Sequence, residues 1–335
     1  MEIVVAGAQV PFMRGGAELA LDNLQAALAA AGHDVEQVRI PTAFDKERSF
    51  DSALAWRMAP VDADLVIPVN FPAYFVRHRR KVVWLFHQHR NFYDAVDAPW
   101  SDLGHDEASL ELRRIMTEWD NRALGEAPAR FAISALVAGR LRRFNGLDAE
   151  PLYHPPPLHG RLRPGGELGD YVFAVNRLEQ NKRPVAIVDA MAHVRSGTRL
   201  ALAGRGSLEA AVRERAGPLV DLLGAAGDAD VLERYHGALA VIYVPHEEDY
   251  GYVTLEAFEA GKPVITAADS GGVLEWVEDG VTGIVTDGTP EGIAAAVDRL
   301  AGDRELARRM GEAGRAKVAG LAWEPVVARL TGAAP

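Results

Sequence analysis

The chain has 335 residues, 48% of them apolar, and a formal charge of −11. Such a length exceeds what one hydrophobic core usually holds, so two domains of roughly 150 residues each are expected, and the acidic balance offers no basic field to gather nucleic-acid phosphates. Cysteine is absent, which excludes disulfides, thiolate catalysis and thiolate metal sites together and allows a reducing compartment.

The opening Met-Glu-Ile-Val-Val-Ala-Gly runs into a strand without a basic leader, so it does not read as a signal peptide. No apolar stretch approaches the ~20 residues needed to cross a bilayer, and a cytoplasmic location is expected. Gly15-Gly16-Ala17-Glu18 opens the first helix, in which Ala17, Leu21, Leu24 and Leu28 recur at helical spacing until Gly32. The paired glycine lets backbone approach a ligand and aims helix N–H groups at it. A tight turn without ligand is the plainer alternative.

Asp62-Ala-Asp64 precedes the strand beginning at Leu65, at the amino end, the wrong side of a sheet for a ligand. The run Arg77, Arg79, Arg80, Lys81 could meet an anionic membrane surface, although a solvated strand edge is the favoured reading. Strand Val82-Val-Trp-Leu-Phe86 delivers His87-Gln88-His89-Arg90 to its carboxyl end. His87 is a candidate site residue and His89 stays open; a zinc site on the pair lacks a suitably spaced third ligand apart from the remote His105. Residues 91–119, with Phe92, Tyr93, Trp100 and Trp119, either line a binding site or join the core. Phe131-Ala-Ile ends at Ser134, a plausible N-cap.

The pattern breaks at Tyr153-His-Pro-Pro-Pro157, and a proline- and glycine-rich stretch to Gly169 marks a domain boundary. We therefore expect an N-terminal domain over 1–157, a second over 158–320 and a last helix over 321–335. The second series begins with strand Tyr171-Val-Phe-Ala-Val, followed by Asn176-Arg177-Leu178-Glu179-Gln180-Asn181-Lys182 and a helix bearing Ile187, Met191 and Val194. Arg177 and Lys182 put two cations in this loop at the carboxyl end of the strand, and two solvated charges at a helix start are the plainer alternative. Leu202-Ala-Gly204-Arg205-Gly206 follows the next strand but lacks the third glycine of a dinucleotide fingerprint. Leu222-Leu-Gly224 reads as a further strand end. Asp228-Ala-Asp230 reads as a loop before a helix, suited to N-capping, so neither D-x-D pair favours a divalent ion. Strand Ala240-Val-Ile-Tyr-Val, strand Val264-Ile-Thr and the Thr289-Pro290 helix start complete the alternation, and Trp323, Val326, Val327 and Leu330 share one face of the last helix.

The most informative segment is Glu248-Asp-Tyr-Gly-Tyr-Val-Thr-Leu-Glu256, with Gly-Lys-Pro and Ser270-Gly271-Gly272 beyond it. Amide groups around Tyr250, Gly251, Tyr252 and Val253 suit a phosphate, and the two carboxylates can accept hydrogen bonds from sugar hydroxyls. This segment resembles the E-x7-E motif of retaining GT-B glycosyltransferases of family 4, and the 176–182 loop is similar to their G-R-L-x-x-E-K-G element, with Asn176, Asn181 and Arg183 as departures.

The resemblance implies an α/β GT-B fold, two Rossmann-like domains facing across a cleft with the C-terminal helix crossing back to the first. It also implies metal-independent, retaining transfer from a nucleoside-diphosphate sugar to a small-molecule, glycan or lipid-linked acceptor. By it, Arg177 and Lys182 hold the diphosphate, Glu256 the ribose, and Glu248 the sugar with the amides of residues 250–253. His87 touches the sugar; Gly15 and Gly16 lie near the diphosphate and acceptor; Gly204 and Gly224 line the nucleotide side. A GT-B protein that only senses a nucleotide-sugar, or a phosphorylase or epimerase, are the rival expectations.

Overall fold

Short apolar strands alternating with amphipathic helices build parallel sheets covered on both faces. The structure, a computed structural model, describes residues 1–12 and 15–332. The chain divides into a first unit, Met1–Pro157 with the C-terminal segment from Ala322, and a second unit, Leu158–Leu321.

In the first unit the elements are β1 (Glu2–Gln9), α1 (Gly16–Ala30), β2 (Asp34–Pro41), α2 (Ser49–Met58), β3 (Leu65–Pro68), β4 (Val82–Leu85), α3 (Glu107–Gly125), β5 (Ala129–Ala132), α4 (Ala135–Asn145) and β6 (Glu150–Pro151). β1 pairs in parallel with β2 and β3, and β5 with β4 and β6. Bridges Val66 to Lys81 and Asn70 to His87 bring β3 alongside β4. The order β2-β1-β3-β4-β5-β6 changes direction between β1 and β3. Leu21, Leu24 and Leu28 of α1 are fully buried against this sheet. Gly7 permits that approach, because a Cβ there would lie 2.7 Å from Leu21 Cδ1.

The second unit contains β7 (Tyr171–Val175), α5 (Pro184–Ala190), β8 (Arg199–Ala203), α6 (Glu209–Arg215), β9 (Val220–Gly224), α7 (Asp228–Gly237), β10 (Ala240–Ile242), α8 (Tyr252–Glu259), β11 (Val264–Ala267), β12 (Gly283–Thr286), α9 (Pro290–Gly302) and α10 (Arg304–Val318). Its sheet is parallel in the order β12-β11-β10-β7-β8-β9. This is the doubly wound arrangement, and the winding reverses between β7 and β10. α11 (Trp323–Gly332) belongs to the first unit. It packs against α1 through buried Val326, Val327 and Leu330, and the Trp323 ring lies 6.2 Å from Trp84.

Three expectations need correction. α5 stops at Ala190 rather than running to Val194, because Met191, Ala192 and His193 donate three residues back and tighten the chain into a turn. Asp228 and Asp230 lie inside the first turn of α7, whose N-cap is Gly227, where their charge complements the helix dipole. Lys81 is buried and is not part of a basic surface run. Its ammonium donates to the carbonyls of Ala123 (2.8 Å), Val76 (3.1 Å) and Tyr74 (3.2 Å) and faces the Glu126 carboxylate. Among the described residues no helix is long and apolar enough to cross a membrane.

Candidate functional site

Where a doubly wound sheet reverses, the loops leaving the two central strands diverge and open a crevice at the carboxyl ends. In the second unit these are residues 176–183 after β7 and 243–251 after β10. The first loop is held from below by glycines: a Cβ on Gly204 would sit 1.8 Å from the Asn176 carbonyl oxygen, and one on Gly206 2.5 Å from that of Leu178. The same loop ends at Arg183 with φ +50, a left-handed conformation that costs a side chain roughly 1–2 kcal/mol. A compensating contact is visible. The Arg183 guanidinium forks onto Asp269, Nη1 reaching Oδ1 at 2.7 Å and Nη2 reaching Oδ2, and Nη2 lies 3.1 Å from His246 Nδ1. The Asp269 carbonyl accepts the Glu247 N–H at 2.8 Å, and the His246 N–H donates to the Asn181 carbonyl at 2.8 Å. Three loops are thereby stitched together.

The acidic loop carries Glu248, whose carbonyl accepts the Gly272 N–H at 2.7 Å. Gly271, at φ +62, runs so close that a Cβ would fall 2.7 Å from that carbonyl oxygen, which explains the Ser-Gly-Gly turn. Gly251 caps α8 at φ +89, and its Cβ would strike Val273 Cγ2 at 2.8 Å. First-turn amides of a helix have no intrahelical acceptor and carry positive potential, so the Tyr252–Val253 start is suited to an anion.

Above this frame the charged groups converge. The buried Lys182 ammonium is ion-paired with the Glu248 carboxylate and donates to the Tyr243 hydroxyl at 3.3 Å. Burial, then the Glu248 charge, push the Tyr243 phenol well up, while the nearby Arg177 guanidinium pulls the other way. Arg177 is itself exposed. Glu256, on α8, accepts the Tyr235 hydroxyl at 2.9 Å. Burial raises its carboxyl to about 7, with the Tyr235 bond opposing. The Tyr252 phenol is also pushed up, by burial first and then by the charges of Glu256 and Glu248. Beside this cluster a cavity of about 230 Å³ lies at the β8–β9 ends, lined by Leu178, Leu202, Gly204, Arg205, Leu222 and Gly224. Gly204 and Gly224 meet there, the Gly204 N–H donating to the Gly224 carbonyl at 2.8 Å.

The second unit thus gathers Arg177, Lys182, Glu248, Glu256 and residues 250–253 at one reversal point, and Gly204 and Gly224 in the neighbouring cavity. In the first unit Gly15, Gly16 and His87 stand at the carboxyl ends of their strands. Gly15 caps α1 and its N–H is taken by Glu18 Oε2 at 2.8 Å. Half-buried His87 follows β4, its carbonyl accepting the Phe71 N–H at 3.1 Å and its Nδ1 lying 3.1 Å from the Gln88 carbonyl. His89, left open above, is core: its ring packs 4.9 Å from Phe92 and 5.3 Å from Phe71, and burial pulls it down to about 4. Phe92 and Tyr93 are buried too, whereas Trp100 and Trp119 are part-exposed. Sequence reasoning missed Tyr235, Tyr243 and the Arg183–Asp269 fork. Only the unusual Arg183 at a glycine-like position gave a signal.

Residues 167–317, which make up most of the second unit, match the family model described as "Glycosyl transferases group 1". The D-inositol 3-phosphate glycosyltransferase of Segniliparus rotundus is 30% identical over 248 residues, covering 66% of this chain and 55% of that protein. The chain spans about half the length of the curated relatives it matches. Among solved structures, sucrose-phosphate synthase from Thermosynechococcus elongatus has a TM-score of 0.74 at 20% identity, over 98% of this chain and 97% of that one. HepE from Anabaena, crystallised with UDP and glucose, has a TM-score of 0.72 at 17% identity, over 98% of each chain. The fold is accordingly GT-B, α/β with two Rossmann-like domains.

Proposed function

We propose that the protein is a family 4 glycosyltransferase that moves a sugar from a nucleoside-diphosphate sugar to an acceptor hydroxyl with retention of configuration and without a metal ion. The observation that carries this reading is the convergence of Lys182, Arg177, Glu248 and the α8 start at the β7/β10 reversal. Cleaving the bond between the sugar C1 and the phosphate oxygen builds charge on the departing diphosphate. The Arg177 and Lys182 cations, the second held by Tyr243, and a helix start stabilise that charge. Glu248 and Glu256 supply acceptors for sugar and ribose hydroxyls.

A covalent route needs a carboxylate free to attack C1, and the role given to Glu248 is to accept hydrogen bonds from the sugar hydroxyls. Same-face attack suits the arrangement: the acceptor oxygen bonds to C1 and its proton passes to the leaving phosphate oxygen. The D-x-D residues support the metal-free reading. Asp64 accepts the Glu2 N–H at 3.0 Å at the amino end of β3, and Asp228 pairs with Arg161 at 2.5 Å. A cysteine-free chain also fits a cytoplasmic setting.

A thermal-shift screen against UDP-, GDP-, ADP- and dTDP-sugars tests the reading, because a ligand of the folded state raises the melting point by mass action. UDP-glucose is the first donor to try and an inositol phosphate the first acceptor, following the relatives named above. Nucleoside diphosphate released only with acceptor supports transfer. Dependence on inorganic phosphate, or binding without turnover, would support phosphorolysis or sensing instead. Activity lost to a chelator and restored by manganese would overturn the metal-free mechanism.

A further inference from the structure

Lys182 has a second partner besides Glu248, and it is neutral. The Tyr243 side chain is 3% exposed, its backbone N–H is fixed to the Ile265 carbonyl at 2.9 Å, and Cε1 lies 3.6 Å from where a Cβ on Gly251 would be. The ring therefore has one place to be, wedged between the end of β10 and the start of α8. Its hydroxyl accepts from Lys182 Nζ and faces the Glu248 carboxylate. Glu248 and a diphosphate are competitors for the same ammonium, since both are oxygen anions and Lys182 is buried with limited room for a second one. A neutral phenol that cannot ionise in the working pH range does not compete; it stays with the lysine whichever anion is bound.

We infer that Tyr243 is a positioning residue for the donor diphosphate: Lys182 is shared between Glu248 and Tyr243, an incoming diphosphate replaces Glu248, and Tyr243 keeps the ammonium in place throughout. Glu248 is released by the same exchange to accept sugar hydroxyls. This rests on the proposed function of the site and names how its cation is held.

The test is calorimetric titration of the full chain with UDP, repeated with GDP. Tyr243→Phe should weaken binding about ten-fold, because the lysine side chain, no longer held once Glu248 leaves it, must be immobilised by the diphosphate itself. Glu248→Gln, which removes the competing charge, should tighten binding of the sugar-free diphosphate. A packing defect is separated by a double-mutant cycle. In a Lys182→Met background Tyr243→Phe should have no further effect on UDP or GDP affinity, whereas a merely structural role would weaken both backgrounds alike. Undiminished binding by Tyr243→Phe, or an equal loss in the Lys182→Met background, overturns the inference and leaves the donor site standing. Failure of the wild-type chain to bind either diphosphate overturns both.

Discussion

Lys182 is a single ammonium held at one point by a loop, a tyrosine and a carboxylate, and its removal should be felt in chemistry more than in folding. Lys182→Ala is expected to lower kcat at saturating donor by about 10²–10³-fold. The partly solvated Glu248 left behind should cost only about 1 kcal/mol in urea unfolding; equal kcat in the variant would remove the lysine from the mechanism. Glu256 behaves differently because it is buried. Its carboxyl is protonated in both states below pH 4.5, and between 4.5 and about 7 the unfolded chain ionises while the folded site does not. Stability therefore falls as pH rises across that interval, by about 3 kcal/mol at 1.4 kcal/mol per pH unit. Glu256→Gln should abolish this dependence in unfolding compared at pH 5 and pH 8. The motif residues Arg177, Lys182, Glu248 and Glu256 were legible because chemistry constrains their type and spacing. Tyr235 and Tyr243 were not, since each reads as an ordinary apolar position on α7 and on the strand beginning at Ala240, and only tertiary contact reveals what the hydroxyl meets.

At the scale of elements, the site is made by loops that approach one another closer than side chains allow. Gly271→Ala must place a Cβ 2.7 Å from the Glu248 carbonyl at a positive φ. We expect the variant to lose about 1–3 kcal/mol and to lose turnover with it, because the acidic loop has to move. Normal kcat with an unchanged melting temperature would show that the turn tolerates the shift. Most strands of the two units, though not β2, β6 or β12, were readable as short apolar runs, and Ser134 and Thr289 cap their helices as read, accepting from the Val137 and Gly292 N–H groups at 3.1 Å. Less was readable where pattern and burial part company. β2, Asp-Val-Glu-Gln-Val-Arg-Ile-Pro, is a polar edge strand with little apolar run to announce it. Lys81 looked solvated until the carbonyls of Tyr74, Val76 and Ala123 were brought around it by the folded chain.

At the scale of the molecule, the two units should answer pH in opposite ways. The first unit buries His154 and His89, held down to about 3 and about 4 by burial, so the stability they contribute is present above 6.5 and lost as pH falls below it. Buried Asp120, raised to about 7 by burial, offsets part of that loss. The second unit carries Glu256 and gains stability over the same descent. Calorimetry from pH 8 to pH 5 should show the first unit's transition moving down relative to the second's; parallel movement of both would contradict these assignments. Five of the six tryptophans lie in the first unit, only Trp276 in the second, so fluorescence identifies which transition is which. A chain stopped at Leu321 should lower the first transition alone.

The first unit is written in two pieces. During synthesis on the ribosome, α1 emerges early and α11, which covers it, emerges after all of residues 158–321. At roughly 5–20 residues per second, the face of α1 that meets α11 waits on the order of 15–60 s for its lid, while the intervening sheet has every strand it needs to close. A nascent chain of this protein thus passes through a stage with one finished lobe and one sticky, unfinished lobe, the stage at which a holding chaperone would matter most.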